Sequence, residues 1–117
     1  MISYWVDSTE KTNFPKLDSN LFSDVCIIGG GITGIATAYM LKDSSLKVTL
    51  LEASKIGMGV TANTTAKITS QHDLFYDYLI NSYGFNTAKK YLTSNEEAIH
   101  TIENIVKAEN IDCNFEH

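Results

Sequence analysis

The chain has no arginine. Its nine basic residues are all lysines, set against fourteen acids, for a formal charge of −5. A protein that grips a nucleic-acid backbone needs a basic stripe, and this balance argues against a nucleic-acid partner. Cysteine is sparse too: Cys26 and Cys113 lie far apart, with neither a Cys-x-x-Cys pair nor metal-ligand spacing, so no metal site is expected. Cys26 reads as a small buried strand residue, and Cys113 carries no signal. No stretch approaches the roughly 20 apolar residues of a membrane span. The polar N-terminus also lacks the basic and apolar regions of a signal peptide, which makes the cytoplasm the expected location and an integral membrane segment unexpected. What remains is a chain of 117 residues, 44% hydrophobic, the size and composition of one small globular domain.

The most informative stretch is Val25-Cys26-Ile27-Ile28-Gly29-Gly30-Gly31-Ile32-Thr33-Gly34, followed by Ala38 and later by Val48-Thr49-Leu50-Leu51-Glu52. It describes a strand, a glycine turn, a helix and a second strand ending in an acid, the phosphate-and-ribose half of a dinucleotide site. Gly29 permits the tight turn out of the first strand. Gly31 lacks a Cβ, so backbone N–H groups can approach a pyrophosphate, and Gly34 lets the helix lie close on the sheet. The pyrophosphate would rest on a helix N-terminus, where unpaired N–H groups and the macrodipole favour an anion. Glu52 is placed to accept from ribose hydroxyls.

Along the chain, residues 1–22 form an N-terminal arm holding Tyr4, Trp5 and the only proline, Pro15. Aromatics in such an arm are expected to anchor it on a neighbouring surface. Strands are expected over about 24–29 and 47–52, with a helix over about 32–43 between them. The stretch Ala53 to Ser70 then carries Gly57, Gly59, Asn63 and four threonines. A loop of this length just after the ribose acid is suited to lining a polar cofactor. Ser70-x-x-Asp73 resembles a capping box before a short helix that ends at Gly84. A longer amphipathic helix from about Thr87 to Glu109 would reach about 34 Å, unless Thr93-Ser94-Asn95, with Ser94-x-x-Glu97 as a cap, breaks it. Its apolar stripe reads as core, His100 as non-catalytic, and Glu96, Glu97 and Glu103 as a solvated face. Residues 110–117 resemble a helix exit running into a new strand.

The glycine motif, Ala38-Tyr39-x-Leu41, the strand ending in Glu52 and Gly57-Met58-Gly59-Val60-Thr61 together resemble the opening of the FAD-dependent amine and amino-acid oxidoreductases. Glycine oxidase, D-amino-acid oxidase and sarcosine oxidase belong to that group. Thr64-Thr65-Ala66-Lys67-Ile68-Thr69-Ser70-Gln71-His72 and the Tyr4-Trp5 arm resemble a bacterial branch whose flavoprotein unit is followed by a Rieske domain, which implies a 2Fe–2S cluster outside these residues. The resemblance puts FAD on Gly29, Gly30, Gly31, Ile32, Thr33 and Gly34, and its adenosine ribose on Glu52 and Ala53. It also implies that Val60, Thr61, Thr65, Ala66 and Lys67 pass near the phosphates and the flavin, where backbone N–H groups stabilise negative charge on the reduced ring. Some relatives attach flavin through a loop histidine. The matching stretch here carries Asn63, so non-covalent FAD is implied, with His72 a remote exception. The implied reaction is hydride transfer to flavin from a C–H beside the nitrogen of a small amine or amino-acid substrate, giving an imine that hydrolyses. No catalytic side chain is assigned.

The expected fold is α/β: a partial Rossmann-like FAD-binding unit, a β-α-β start followed by two helices, occupying residues 23–117 after the arm. Such a sheet needs more parallel strands than the two legible here, so the chain reads as the N-terminal portion of a larger oxidoreductase, inactive and self-associating by itself. Two other readings stay open: the nucleotide-binding unit of an NAD-dependent dehydrogenase, and a nucleotide-binding or assembly module without chemistry. Glu52 would repel a ribose 2′-phosphate, which argues against NADP.

Overall fold

The computed structural model describes residues 3–116, which form two compact units, residues up to Thr65 and residues from Ala66 onward. In the first unit a short helix α1 (Tyr4–Ser8) precedes β1 (Val25–Ile28), α2 (Ile32–Met40), β2 (Val48–Leu51) and a single 3₁₀ turn, Thr61–Asn63. The two strands pair in parallel, with Val25 opposite Val48 and Ile28 opposite Leu51. Parallel neighbours need a crossover, and α2 provides it. The β-branched residues of Val25-Cys26-Ile27-Ile28 favour the extended chain. Val25 and Ile27 are half-buried, whereas Cys26 and Ile28 are exposed. Cys26 is therefore not the buried residue anticipated from its neighbours. Side chains alternate across a strand, and among the described residues α2 contacts the sheet while the Cys26 and Ile28 face stays open.

Both strands and α2 lie where expected, each a residue or more shorter, α2 because Leu41 to Ser44 tighten into turns after it. The N-terminal arm is not without structure: α1 forms in it and is anchored, as its aromatics suggested. Trp5 Nε1 donates to the Thr64 carbonyl at 2.7 Å, and the Tyr4 and Trp5 rings meet edge-on at 5.1 Å.

The second unit is a helical pair, α3 (Phe75–Tyr83) and α4 (Phe85–Ala108), hinged at Gly84, whose φ of +83° suits glycine. Leu79 and Ala88 are buried in it. Tyr91 gathers His72, Phe75 and Tyr76 around its ring at centroid distances of 5.8, 5.3 and 5.9 Å. The expected capping box at Ser70 does not form. Asp73 has a left-handed φ of +46°, α3 starts two residues later, and no side chain caps it. Ser70 instead offers its carbonyl to the Tyr76 hydroxyl. Nor does α4 break at Thr93-Ser94-Asn95. The helix runs through this stretch without interruption, and Asn95 Nδ2 donates back to the Tyr91 carbonyl at 2.8 Å, a bond made within a continuing helix. Glu103 is less solvated than the acidic face suggested, pairing with Lys107 at 2.6 Å and with His100 at 3.7 Å. After α4, Asn110 and Asn114 take left-handed φ values of +49°, so the chain turns and no strand forms among the described residues 110–116; His117 lies outside them.

Candidate functional site

The glycine turn sits between the end of β1 and the start of α2, and each glycine in it meets a different constraint. Gly29 has a φ of +104°, a conformation that L side chains rarely adopt, and its N–H continues the sheet ladder to the Leu51 carbonyl at 2.8 Å. A Cβ on Gly34 would lie 2.0 Å from the Gly29 carbonyl oxygen, so only glycine lets the first turn of α2 rest on the loop. On Gly30 a Cβ would meet Ile56 Cγ1 at 3.0 Å and the Glu52 side chain at 3.2 Å, and on Gly31 it would meet Thr61 Oγ1 at 3.1 Å. Gly31 is the N-cap of α2 and offers no side-chain cap, leaving the helix N-terminus accessible to another acceptor.

Two acceptors from elsewhere in the unit stand at this turn. Glu52 Oε2 accepts the Gly30 N–H at 2.7 Å while Oε1 accepts the Ser54 N–H at 2.8 Å. The Gly30 N–H most strongly, then that of Ser54, hold the Glu52 carboxyl below its usual value of 4.5, outweighing the raising effect of desolvation; Ala53 adds a smaller lowering. An ionised carboxylate thus sits on the second glycine, with remaining lone pairs for further donors. Thr61 Oγ1 accepts the Ile32 N–H at 3.1 Å, placing a hydroxyl on the first turn of α2.

The loop after Glu52 is ordered around the same turn. Gly57 and Gly59 both have φ of +75°, the Gly57 N–H donates to the Gly30 carbonyl at 2.8 Å, and Asn63 Nδ2 donates to the Gly59 carbonyl at 2.7 Å. The first unit therefore brings together Gly29, Gly30, Gly31, Ile32, Gly34, Glu52 and Thr61 of the residues picked out from sequence. Thr33 lies in α2 and accepts at its carbonyl from the Thr37 hydroxyl, and Val60 is 90% exposed. Ala53 and Thr65 are exposed in the same unit. Ala66, with a φ of +53°, and the exposed Lys67 begin the second unit. His72, also in that unit, has Nδ1 3.0 Å from the Tyr91 hydroxyl. Sequence reasoning did not single out Ser54, Ile56 or the Gly57 N–H; only the glycine at position 57 hinted at a fixed turn there. Among the described residues no group of three or more histidine, cysteine, aspartate or glutamate side chains could hold a metal ion. Among them, too, no helix is long and apolar enough to cross a membrane.

Residues 24–117 match the family model described as FAD-dependent oxidoreductase. Among curated proteins, the chain is 47% identical over 113 residues to YhfW of Bacillus subtilis, whose name describes a Rieske 2Fe–2S iron–sulfur protein; the match covers 97% of this chain and 22% of that one. It is 32% identical over 114 residues to gamma-glutamylputrescine oxidoreductase of Escherichia coli, covering 97% of this chain and 27% of the relative. The chain thus spans about a quarter of the length of the curated relatives it matches. No solved structure gives a significant match.

Proposed function

The chain belongs to the FAD-dependent oxidoreductase family, and on that premise we propose that its first unit holds the ADP half of a non-covalently bound FAD. The observation that carries this reading is the anchored Glu52 carboxylate beside a glycine-capped helix N-terminus, an acid for ribose and a donor surface for pyrophosphate within one turn. The residues fit the group: a Cβ at Gly31 would crowd Thr61 Oγ1, so the glycine keeps open the cradle that a phosphate needs. Gly31, Ile32, Thr33 and Gly34 hold the pyrophosphate at the start of α2 through backbone and dipole, while Gly29 and Gly30, whose N–H groups go to the Leu51 carbonyl and to Glu52, shape the turn beneath it. Glu52, with Ala53, orients the ribose. By family resemblance Val60, Thr61, Thr65, Ala66 and Lys67 pass near the phosphates and the flavin and supply backbone N–H groups there. Asn63, engaged with the Gly59 carbonyl, offers no nucleophile for a covalent flavin link.

FAD, when bound, supplies the acceptor for the hydride lost from a C–H beside an amine nitrogen. The whole protein on this reading oxidises a small amine or amino acid, in keeping with the name of the Escherichia coli relative. The name of the Bacillus subtilis relative supports a further Rieske domain with a 2Fe–2S cluster in the intact protein. The visible spectrum of the full-length protein tests the cofactor directly. Flavin bands that are released on denaturation support non-covalent FAD. A colourless protein that takes up no flavin on reconstitution but binds NAD would return the reading to a nicotinamide-dependent dehydrogenase, and one that binds neither cofactor would overturn the FAD proposal in favour of a module without this chemistry.

A further inference from the structure

The family match begins at residue 24, yet the arm before it is tied to the cofactor loop at two places. At one, the Ser3 hydroxyl donates to the Ala62 carbonyl and Trp5 Nε1 donates to the Thr64 carbonyl at 2.7 Å. These contacts fall on the centre of the 3₁₀ turn Thr61–Asn63 and on the residue just after it, and Ala62 is 7% exposed, among the most buried residues of the unit. At the other, Val6, Thr9, Glu10, Lys11 and Thr12 face Lys55, Ile56 and Met58 across a cavity of about 230 Å³. The clasped loop reaches the glycine turn at both ends of this span, through Ile56 against Gly30 and through Thr61 Oγ1 on the Ile32 N–H.

We infer that residues 3–12 act as a clasp that positions the cofactor loop, with Trp5 a positioning residue for Thr61 at the N-terminus of α2. The inference rests on the FAD reading of the site. The physical argument is one of ordering. A loop carrying two glycines at positive φ is flexible in isolation, and a hydroxyl on a short side chain caps a helix well only if the backbone that carries it is held. Among the described contacts, the arm holds the carbonyls one and three residues after Thr61. Loss of the arm's donors then raises the entropic cost of placing Thr61, and with it the cost of presenting the glycine turn and the start of α2 to the cofactor.

The test is a double-mutant cycle in the full-length protein, pairing Trp5→Phe, which keeps an aromatic ring but removes the donor, with Thr61→Val. FAD dissociation constants are read by flavin fluorescence, and amide exchange is followed over residues 57–64. Each single variant is expected to weaken FAD by at least about threefold, the scale of one lost hydrogen bond. The double variant should be no weaker than Thr61→Val alone, with exchange over 57–64 faster in Trp5→Phe. A change below threefold in Trp5→Phe, a product of the two single effects in the double variant, or a lower melting temperature with unchanged FAD affinity would each overturn the clasp. Should Trp5→Phe not fold, Ser3→Ala reads the same coupling from the Ala62 side. A wild-type protein that takes up no FAD removes the cofactor reading instead, and unchanged exchange over 57–64 then removes the clasp separately.

Discussion

Glu52 reaches back across 22 residues to accept the Gly30 N–H at 2.7 Å. This one bond joins the end of β2 to the glycine turn after β1, so the acid assigned to ribose also supports the backbone assigned to pyrophosphate. Removing it should therefore disturb both contacts together. In the full-length protein Glu52→Ala is expected to weaken FAD by about ten- to a hundredfold, the range for hydrogen bonds to a charged group. Glu52→Gln, which keeps an acceptor for Gly30 without the charge, should fall between. Flavin titration checks the order of the three, and undiminished affinity in Glu52→Ala would contradict the ribose role.

The same carboxylate predicts a pH dependence of stability. The Gly30 and Ser54 N–H groups lower its pKa in the fold below the usual 4.5. A depressed folded-state pKa contributes stability that is complete above the unfolded value and is lost as pH falls through the folded one. The melting-temperature advantage of wild type over Glu52→Gln should thus be flat from neutral pH down to about pH 5 and shrink at more acid pH. An advantage that persists unchanged at about pH 3 would show that the charged carboxylate is not its source.

How far the site was legible in sequence follows from the range of the forces involved. Strand, turn, helix and acid were readable because glycine requirements and apolar runs are local, and Gly29 and Gly34 meet the constraints their positions implied. The Thr61 contact was reachable only through family resemblance, since nothing local says that a residue 29 positions away will accept the Ile32 N–H. Cys26 was misjudged for a related reason. Strand composition marks a residue as apolar, but burial depends on what covers its face of the sheet. The capping signals at Ser70 and Ser94 failed because a short signature does not register that Asp73 turns left-handed, or that the amphipathic pattern on both sides of Ser94 carries one helix straight through it.

Two glycines of the turn should respond differently to substitution. Gly34→Ala drives a Cβ to 2.0 Å from the Gly29 carbonyl oxygen, a backbone atom that cannot step aside. The cost is expected at about 3 kcal/mol or more, read by chemical denaturation. Gly31→Val places its bulk against Thr61 Oγ1, the end of a side chain that can rotate away, so the protein should stay soluble and folded while losing flavin. A yellow Gly31→Val protein with a normal flavin ratio would count against the phosphate cradle.

In the helical pair, the half-buried Tyr76 hydroxyl donates to the Ser70 carbonyl. Desolvation, followed by Tyr91 and Glu96, raises its pKa above the usual 10.0. A raised folded-state pKa stabilises the fold fully below pH 10 and loses that contribution as pH rises through the higher value. Tyr76→Phe should therefore remove a late-titrating tyrosine from an ultraviolet titration and flatten the alkaline limb of stability. An unchanged titration curve would place the late ionisation on another tyrosine.

The 117-residue chain studied alone should associate and bind FAD weakly. Only Ala62, Leu79 and Ala88 form the buried hydrophobic core among the described residues, whereas Phe22 is 85%, Ile28 87%, Ile32 66% and Met40 60% exposed. Among the described residues its sheet has two strands, a size that is marginal without further cover, and neither strand has a ladder partner on its outer edge. Water disfavours this much apolar surface, and a second copy is the most available cover, so a dimer or larger species is expected at micromolar concentration. Weak FAD binding follows from the same geometry. The first unit offers ribose and phosphate contacts, which fix one half of the cofactor, and the family resemblance puts the walls of the ring system in later strands. Sedimentation equilibrium together with flavin titration on the isolated chain decides the matter. A monodisperse monomer that binds FAD at submicromolar concentration would mean that the exposed faces of β1 and α2 need no cover and that residues 1–117 are a self-sufficient flavin domain.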